Sequence, residues 1–304
     1  MTRGFVTVAT GREDYYKLAF NLLASYRYHT SRPMPWAILC DEENEYTRHF
    51  DTVVLLEGAT RSLWDKIRLL DSVPYDENIF IEADCLAYRD LNGLWRFFRN
   101  DSSFSYMGEV LPLDSPSGFF NPSHLGVFSD SVDHQVMLQG GIYYFRRGPL
   151  LDRFSDTCHR IYERFSDYEF RIPTEESVYA LASVVHGITP PINWSDVYCF
   201  YPESRILKSD ILSGRLRYVW EGMDWRVMSG KYLIHFTNNG TCDDFYKGEA
   251  SAVQAQFKAG NHPSLPVRLS IRTSSLWERS KELLRSAVPL SVKEAVVKHI
   301  SLKQ

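Results

Sequence analysis

The 304-residue chain has no glycine-rich phosphate loop. No Gly-x-Gly-x-x-Gly and no Gly-Lys-Ser/Thr string follows its first apolar run, so the usual phosphate cradles of dinucleotide and P-loop proteins are missing. A Gly-x-Ser-x-Gly elbow is absent as well, which argues against a serine hydrolase. So is His-x-x-x-His spacing, which argues against a zinc hydrolase. No apolar run approaches the roughly 20 residues that span a bilayer, and no signal-peptide core follows the first residues. Cysteine is sparse: Cys40, Cys85, Cys158, Cys199 and Cys242 are odd in number and scattered, neither a disulfide framework nor a zinc cluster. That usage fits a reducing, cytoplasmic setting. Positive charge is not in excess either; the net charge of −4 argues against a general nucleic-acid binder.

What is present is a soluble-type composition with many rings: 18 Tyr, 18 Phe and 7 Trp, or 14% aromatic. Such rings serve carbohydrate sites, but they fill cores far more often. Apolar runs at Gly4–Thr10, Trp36–Cys40, Thr52–Leu56 and Ile79–Ile81 predict strands. Helical spacing of Tyr15, Leu18, Leu22 and Tyr26, and a run from Leu63 to Leu70, fall between them. This alternation predicts an α/β fold with a mostly parallel sheet flanked by helices. Further on, Pro112–Pro122 reads as a loop, Gly140–Phe145 as a strand opened by paired glycines, and Leu150–Phe165 and Thr174–Val185 as helices. Val197–Tyr201 and Tyr232–Phe236 read as late strands.

The chemistry concentrates in Asn78-Ile-Phe-Ile-Glu-Ala-Asp84. Residues two apart on an extended segment point the same way, so Glu82 and Asp84 can converge on one ion just past a buried strand, where open α/β sheets place their ligands. Two hard oxygen donors suit Mg²⁺ or Mn²⁺, often shared with a substrate diphosphate. An acidic turn closing a core strand would carry the same letters. His235, leaving a late strand before the turn Thr237-Asn-Asn-Gly240, offers a third ligand; an inert core histidine is the other reading. Glu175-Glu176 behind Thr174 reads as a charged first helical turn with Thr174 as N-cap, or as functional carboxylates.

The order of segments resembles the retaining, metal-dependent GT-A glycosyltransferases, the family of glycogenin and bacterial lipo-oligosaccharide galactosyltransferases. The resemblance runs from Gly4 to Phe245. It rests on Trp64-Asp-Lys-Ile-Arg-Leu-Leu70, on Tyr75 to Leu91 with its acid-x-acid, on Gln139-Gly-Gly141, on Glu175-Glu176 and on His235-Phe236. The chain departs from the pattern at Glu82, where the family has Asp, and at Glu175-Glu176, where it has Asp-Gln. After the histidine, Asn238-Asn239-Gly240 replaces a Lys-bearing turn.

The resemblance implies a GT-A-like domain over 1–265 and a UDP-sugar donor whose hexose passes to a saccharide or lipid-linked acceptor. It implies Mn²⁺ or Mg²⁺ at Glu82, Asp84 and His235. It assigns the donor to Ala9, Thr10, Tyr15, Lys66, Gln139, Gly140 and Gly141, and catalytic carboxylates to Glu175 and Glu176. A nucleotidyl- or phosphotransferase on a similar sheet, and a non-catalytic sugar-nucleotide binder, remain as alternatives. Residues 266–304 carry eight Lys or Arg against three Glu, a net +5 that leaves −9 on the rest. Apolar stripes (Leu276, Leu283, Leu284, then Val292, Val296, Ile300) flank Pro289. This predicts a basic amphipathic tail, suited either to an anionic membrane surface or to packing on the acidic domain.

Overall fold

The computed structural model describes residues 1–98, 102–193, 195, 197–220 and 226–260. The expected boundary at 265/266 and the tail helices lie outside them. In chain order the elements are β1 (Arg3–Ala9), α1 (Glu13–His29), β2 (Trp36–Cys40), β3 (Thr52–Leu55), α2 (Leu69–Ser72), β4 (Glu77–Ile81) and β5 (Cys85–Ala87). They continue with β6 (Phe104–Pro112), β7 (His134–Arg146), α3 (Pro149–Glu163), α4 (Glu175–Val185), β8 (Tyr198–Tyr201), β9 (Ser204–Asp210), β10 (Arg215–Trp220), β11 (Val227–Ser229), β12 (Leu233–Phe236) and α5 (Asp244–Lys258).

Six strands form the central sheet in the order β3-β2-β1-β4-β7-β6. The first four are mutually parallel and β7 runs against both β4 and β6. The parallel half carries apolar side chains toward both faces, as doubly covered strands require. Phe5 and Ile38 pack under Tyr16, Leu22 and Tyr26 of α1. Val6 and Phe80 face the opposite layer, where Phe154 of α3 and Tyr179 of α4 complete the packing. The predicted α/β sheet flanked by helices is therefore the observed one.

Differences from the sequence expectations have local causes. The predicted helix over 63–70 is broken into a 3-10 turn, Leu63–Lys66, and the short α2. The Lys66 carbonyl accepts the Tyr179 hydroxyl at 2.8 Å, and the Leu70 amide bonds back to Ile67 instead. Tyr15 leaves the predicted apolar stripe of α1 and is 44% exposed at the lip of a cleft, while Tyr16 takes the core position. Gly140-Gly141 do not open a strand but lie in the middle of the 13-residue β7. Thr174 does occupy the N-cap position of α4, yet its side chain makes no capping bond.

Two smaller sheets complete the described chain. One joins β5, β12 and β8, and the other is the antiparallel β9-β10-β11. In the first, β12 lies between β5 and β8, pairing Ile234 with Leu86 and Cys199. This small sheet carries the end of β4 onward and brings a strand from late in the chain against it.

Candidate active site

Beyond β4 the chain turns through Glu82-Ala83-Asp84 into β5, and two backbone bonds pin that corner. The Glu82 amide donates to the Gly141 carbonyl of β7, and the Asp84 carbonyl accepts from the Phe236 amide of β12, both at 3.0 Å. The antiparallel register sets His235 opposite Cys85. The imidazole Nε2 then lies 3.1 Å from Asp84 Oδ1 and 3.5 Å from Glu82 Oε2. Burial of the ring opposes its charge, but the Asp84 and Glu82 carboxylates outweigh it and raise His235 to about 10.

The paired glycines make room behind this corner. A Cβ on Gly141 would fall 2.9 Å from His235 Nδ1, and one on Gly140 would fall 2.7 Å from Glu176 Oε1. Lacking a side chain, Gly140 brings its amide to Glu176, donating at 2.5 Å. Here glycine serves close approach, not a turn.

Lys66 closes the other side. Its ammonium is paired with Glu82 Oε1 and lies 2.7 Å from Glu175 Oε1, the lysine side chain being 12% exposed and that of Glu175 2%. Burial would lower Lys66, yet the two carboxylates raise it well above a free lysine. Burial likewise works to raise Glu82, but Lys66 and His235 hold it down at about 2. Glu175 comes out the other way: its burial exceeds the attraction of Lys66, and its carboxyl is raised. Glu176, pushed up by burial and then by Glu175, titrates at about 7.

Two clefts adjoin at this cluster and share Leu63, Lys66, Glu82, Asp84 and Asn238. The first, about 450 Å³, is lined by the expected Ala9, Thr10 and Tyr15, and by Arg61, which the sequence reading missed. The second, about 480 Å³, is lined by the expected Gln139, Glu175, Glu176 and His235, and by the unanticipated Glu203 and Trp220. Gly140 and Gly141 line neither and stand behind the acids.

A second missed residue shapes the first cleft. Asp65, wholly buried, accepts from the Thr10 hydroxyl, the Thr60 amide and hydroxyl, and the Arg61 amide at 2.7–2.9 Å. Those bonds hold Arg61 at φ 59°, a left-handed backbone uncommon outside glycine. The Arg61 Nε donates to Asp41 Oδ2 at 2.8 Å. The polar string Thr60-Arg-Ser62 signals a turn, but nothing in it signals the handedness.

The donor set fits a divalent ion. Asp84 Oδ1 is buried without a hydrogen-bond partner, 3.1 Å from an imidazole nitrogen but not aligned to bond it. A carboxylate oxygen left so costs free energy unless something cationic meets it. The cation that meets it here is the charged His235 ring; a divalent ion between the two side chains would take over that role, the ring then giving up its proton. Cys85 has its sulfur within 4.8 Å of the Asp84 and His235 ligand atoms. Burial and the neighbouring acids push its thiol well up, so it stays protonated and is a poor ligand for a hard ion. The oxygens of Asp84, with one nitrogen of His235, would be the ligands of such an ion. Glu82 has one oxygen committed to Lys66 and one turned toward the histidine.

The fold resembles that of solved glycosyltransferase structures. No protein-family description and no curated protein sequence matches the chain. Among solved structures, it is similar to the galactosyltransferase LgtC in complex with donor and acceptor sugar analogs. The TM-score is 0.53 at 10% identity, over 86% of this chain and 98% of that one. An active-site mutant of LgtC gives 0.51 at 10% identity, over 83% and 95%. The apo form of the bifunctional glycosyltransferase WbbM gives 0.50 at 10% identity; the match covers 90% of this chain and 52% of that one. At such identity the likeness is one of fold.

Proposed function

We propose that the protein is a glycosyltransferase that moves a hexose, glucose or galactose, from a UDP-sugar to a saccharide or lipid-linked acceptor with retention at the anomeric carbon. The observation that carries this reading is the meeting of two clefts over one cluster of Lys66, Glu82, Asp84, Glu175, Glu176 and His235. A donor and an acceptor need separate seats that share the reacting centre.

In this reading Asp84 and His235, with Glu82 beside them, would hold Mn²⁺ or Mg²⁺, which when bound would offset the charge that builds on the departing diphosphate. The nucleoside lies in the first cleft against Ala9, Thr10 and Tyr15. Lys66 presents a buried cation toward the leaving group, fixed by Glu82 and Glu175 before any substrate arrives, so its orientation costs nothing at the moment of reaction. Gln139 and Glu176 face the sugar from the second cleft. Because Glu176 titrates near 7, it both donates and accepts hydrogen bonds there. No helix among the described residues is long and apolar enough to cross a membrane. We take the enzyme to work in the cytoplasm, with the basic tail as its contact to an anionic membrane face.

Incubation with Mn²⁺ and a panel of nucleotide sugars, following release of the free nucleoside diphosphate, tests this without knowledge of the acceptor. Slow metal-dependent release is expected, and Asp84→Ala should lower it about 100-fold, or about 2.7 kcal/mol. Unchanged turnover in that variant refutes the site. Tight nucleotide binding without turnover would indicate a non-catalytic relative, and release of nucleoside monophosphate a nucleotidyltransferase.

A further inference from the structure

The antiparallel sheet β9-β10-β11 is unusual in its outer face. Its register sets Arg215 opposite Asp210, Arg217 between Lys208 and Ser229, and Val219 between Arg205 and Val227. Arg205, Lys208, Arg215 and Arg217 are all exposed. Among the described residues none of the four makes a side-chain hydrogen bond or ion pair, although Asp210 stands directly across from Arg215. Arg217 and Lys208 are a like-charged cross-strand pair, an arrangement that weakens a sheet. The sheet itself gains nothing from that pair.

Two apolar side chains interrupt this basic face at its outer strands. Leu207, at the register shift of β9, is 43% exposed, and Val227 of β11 is 48% exposed. Neighbouring strands lie about 4.8 Å apart, so the charges spread in two dimensions rather than along a line. The sheet also adjoins the second cleft. Glu203, just before β9, and Trp220, the last residue of β10, both line it. Arg217 is three residues from Trp220, about 10 Å along the strand, and on the other face of the sheet.

We propose that this face is a docking surface for an anionic lipid bilayer, with Arg205, Lys208, Arg215 and Arg217 among the headgroups and Leu207 and Val227 at the acyl boundary. A dissolved polyanion would match the charges but would have no use for the two exposed aliphatic side chains. Charge with interspersed apolar groups is what the interface of a bilayer rewards. The face is distinct from the basic tail and does not depend on the transfer chemistry.

The test is sedimentation of the full-length protein with vesicles of phosphatidylglycerol and phosphatidylcholine, and with phosphatidylcholine alone, over a range of salt. Salt-sensitive binding to the anionic vesicles only is expected. Each basic residue near such a surface raises partitioning about fivefold. Replacing Arg205, Lys208, Arg215 and Arg217 together by Gln should lower it about 100-fold or more. Should that variant not fold, Arg205→Gln with Arg217→Gln should lower partitioning about 25-fold. No binding by the wild type overturns the proposal. Undiminished binding by the variants overturns it too, and assigns the membrane contact elsewhere in the chain. Capture by dextran sulfate but not by vesicles overturns it in favour of a soluble polyanion. Release of diphosphate without vesicles is read on the same proteins and should not change in the variants. A wild type that binds vesicles but never turns over a donor would remove the transferase reading and leave the docking surface standing.

Discussion

Replacing Lys66 by Met should unbalance the site more than any other single change, and the structure says how the loss divides. The ammonium is buried between Glu82 and Glu175, and its raised pKa means that the folded state favours its charge. A group raised above its unfolded value contributes stability in full below that value, about 10.4 for lysine, and loses it as pH rises through the folded one. At pH 7 the contribution is therefore whole. Removing one partner of a buried ion pair costs about 3–5 kcal/mol, because the carboxylates stay behind unpaired. Glu175 is not the mirror image. Its carboxyl is raised in spite of Lys66, so its burial costs more than its partner returns.

Glu175→Gln alone should accordingly lie within about 1 kcal/mol of wild type, and in the Lys66→Met background it should be stabilising by about 2 kcal/mol. Urea unfolding of the four proteins at pH 7 with chelator, which removes any metal contribution, gives the cycle directly. A loss under about 1 kcal/mol for Lys66→Met, or a coupling under about 0.5 kcal/mol, would falsify the buried-hub account and make Lys66 an ordinary surface cation.

Asp65→Ala removes the acceptor of four hydrogen bonds, one of them from the amide of left-handed Arg61. A loss of about 3 kcal/mol is expected in thermal or urea melts, together with weaker nucleotide binding in calorimetry because the wall of the first cleft relaxes. His29, its Nε2 sealed from solvent without a partner, is lowered to about 4 by burial. Its depressed value makes the unfolded chain bind the extra proton first. Stability should fall as pH drops from about 6.5 toward 4, by about 1–2 kcal/mol, since the residue as a whole is only partly shielded from water. His29→Gln should flatten that limb of the pH–stability curve.

The half of the molecule that carries the acids was legible because its signals are redundant. Ile79-Phe-Ile81 is apolar on both faces, as a central parallel strand must be, and the acids follow it without a break. His235 was readable for the same reason, since an apolar strand delivers it. The other half hid its strands in polar residues. The first half of β7 holds His134, Gln135 and Gln139, and buried Gln135 is tolerated because its side-chain amide donates to the Leu113 and Ser115 carbonyls and accepts from the Phe120 amide. The strand was therefore seen only from its glycines onward. In β9 and β10, Arg, Lys and Ser alternate with a few apolar positions and a register shift breaks the period. Gly108 and Pro112 similarly disguise β6. The left-handed turn at Arg61 was beyond sequence reasoning, because Asp65 imposes it from four residues away.

The corner at Asp84 is held by a hydrogen bond to Phe236, a partner 152 residues later in the chain. Contacts of such long sequence separation close late, after the loop entropy between them has been overcome. The parallel half of the sheet needs only residues up to Ile81, whereas the pair of Asp84 and His235 needs β12 in place. Under the proposed metal reading, this pair is a signature of finished assembly: a chain still emerging during synthesis would own its acidic strand long before it owned the pair. An ion held as proposed would meet both Asp84 and His235 only in molecules whose β12 has docked.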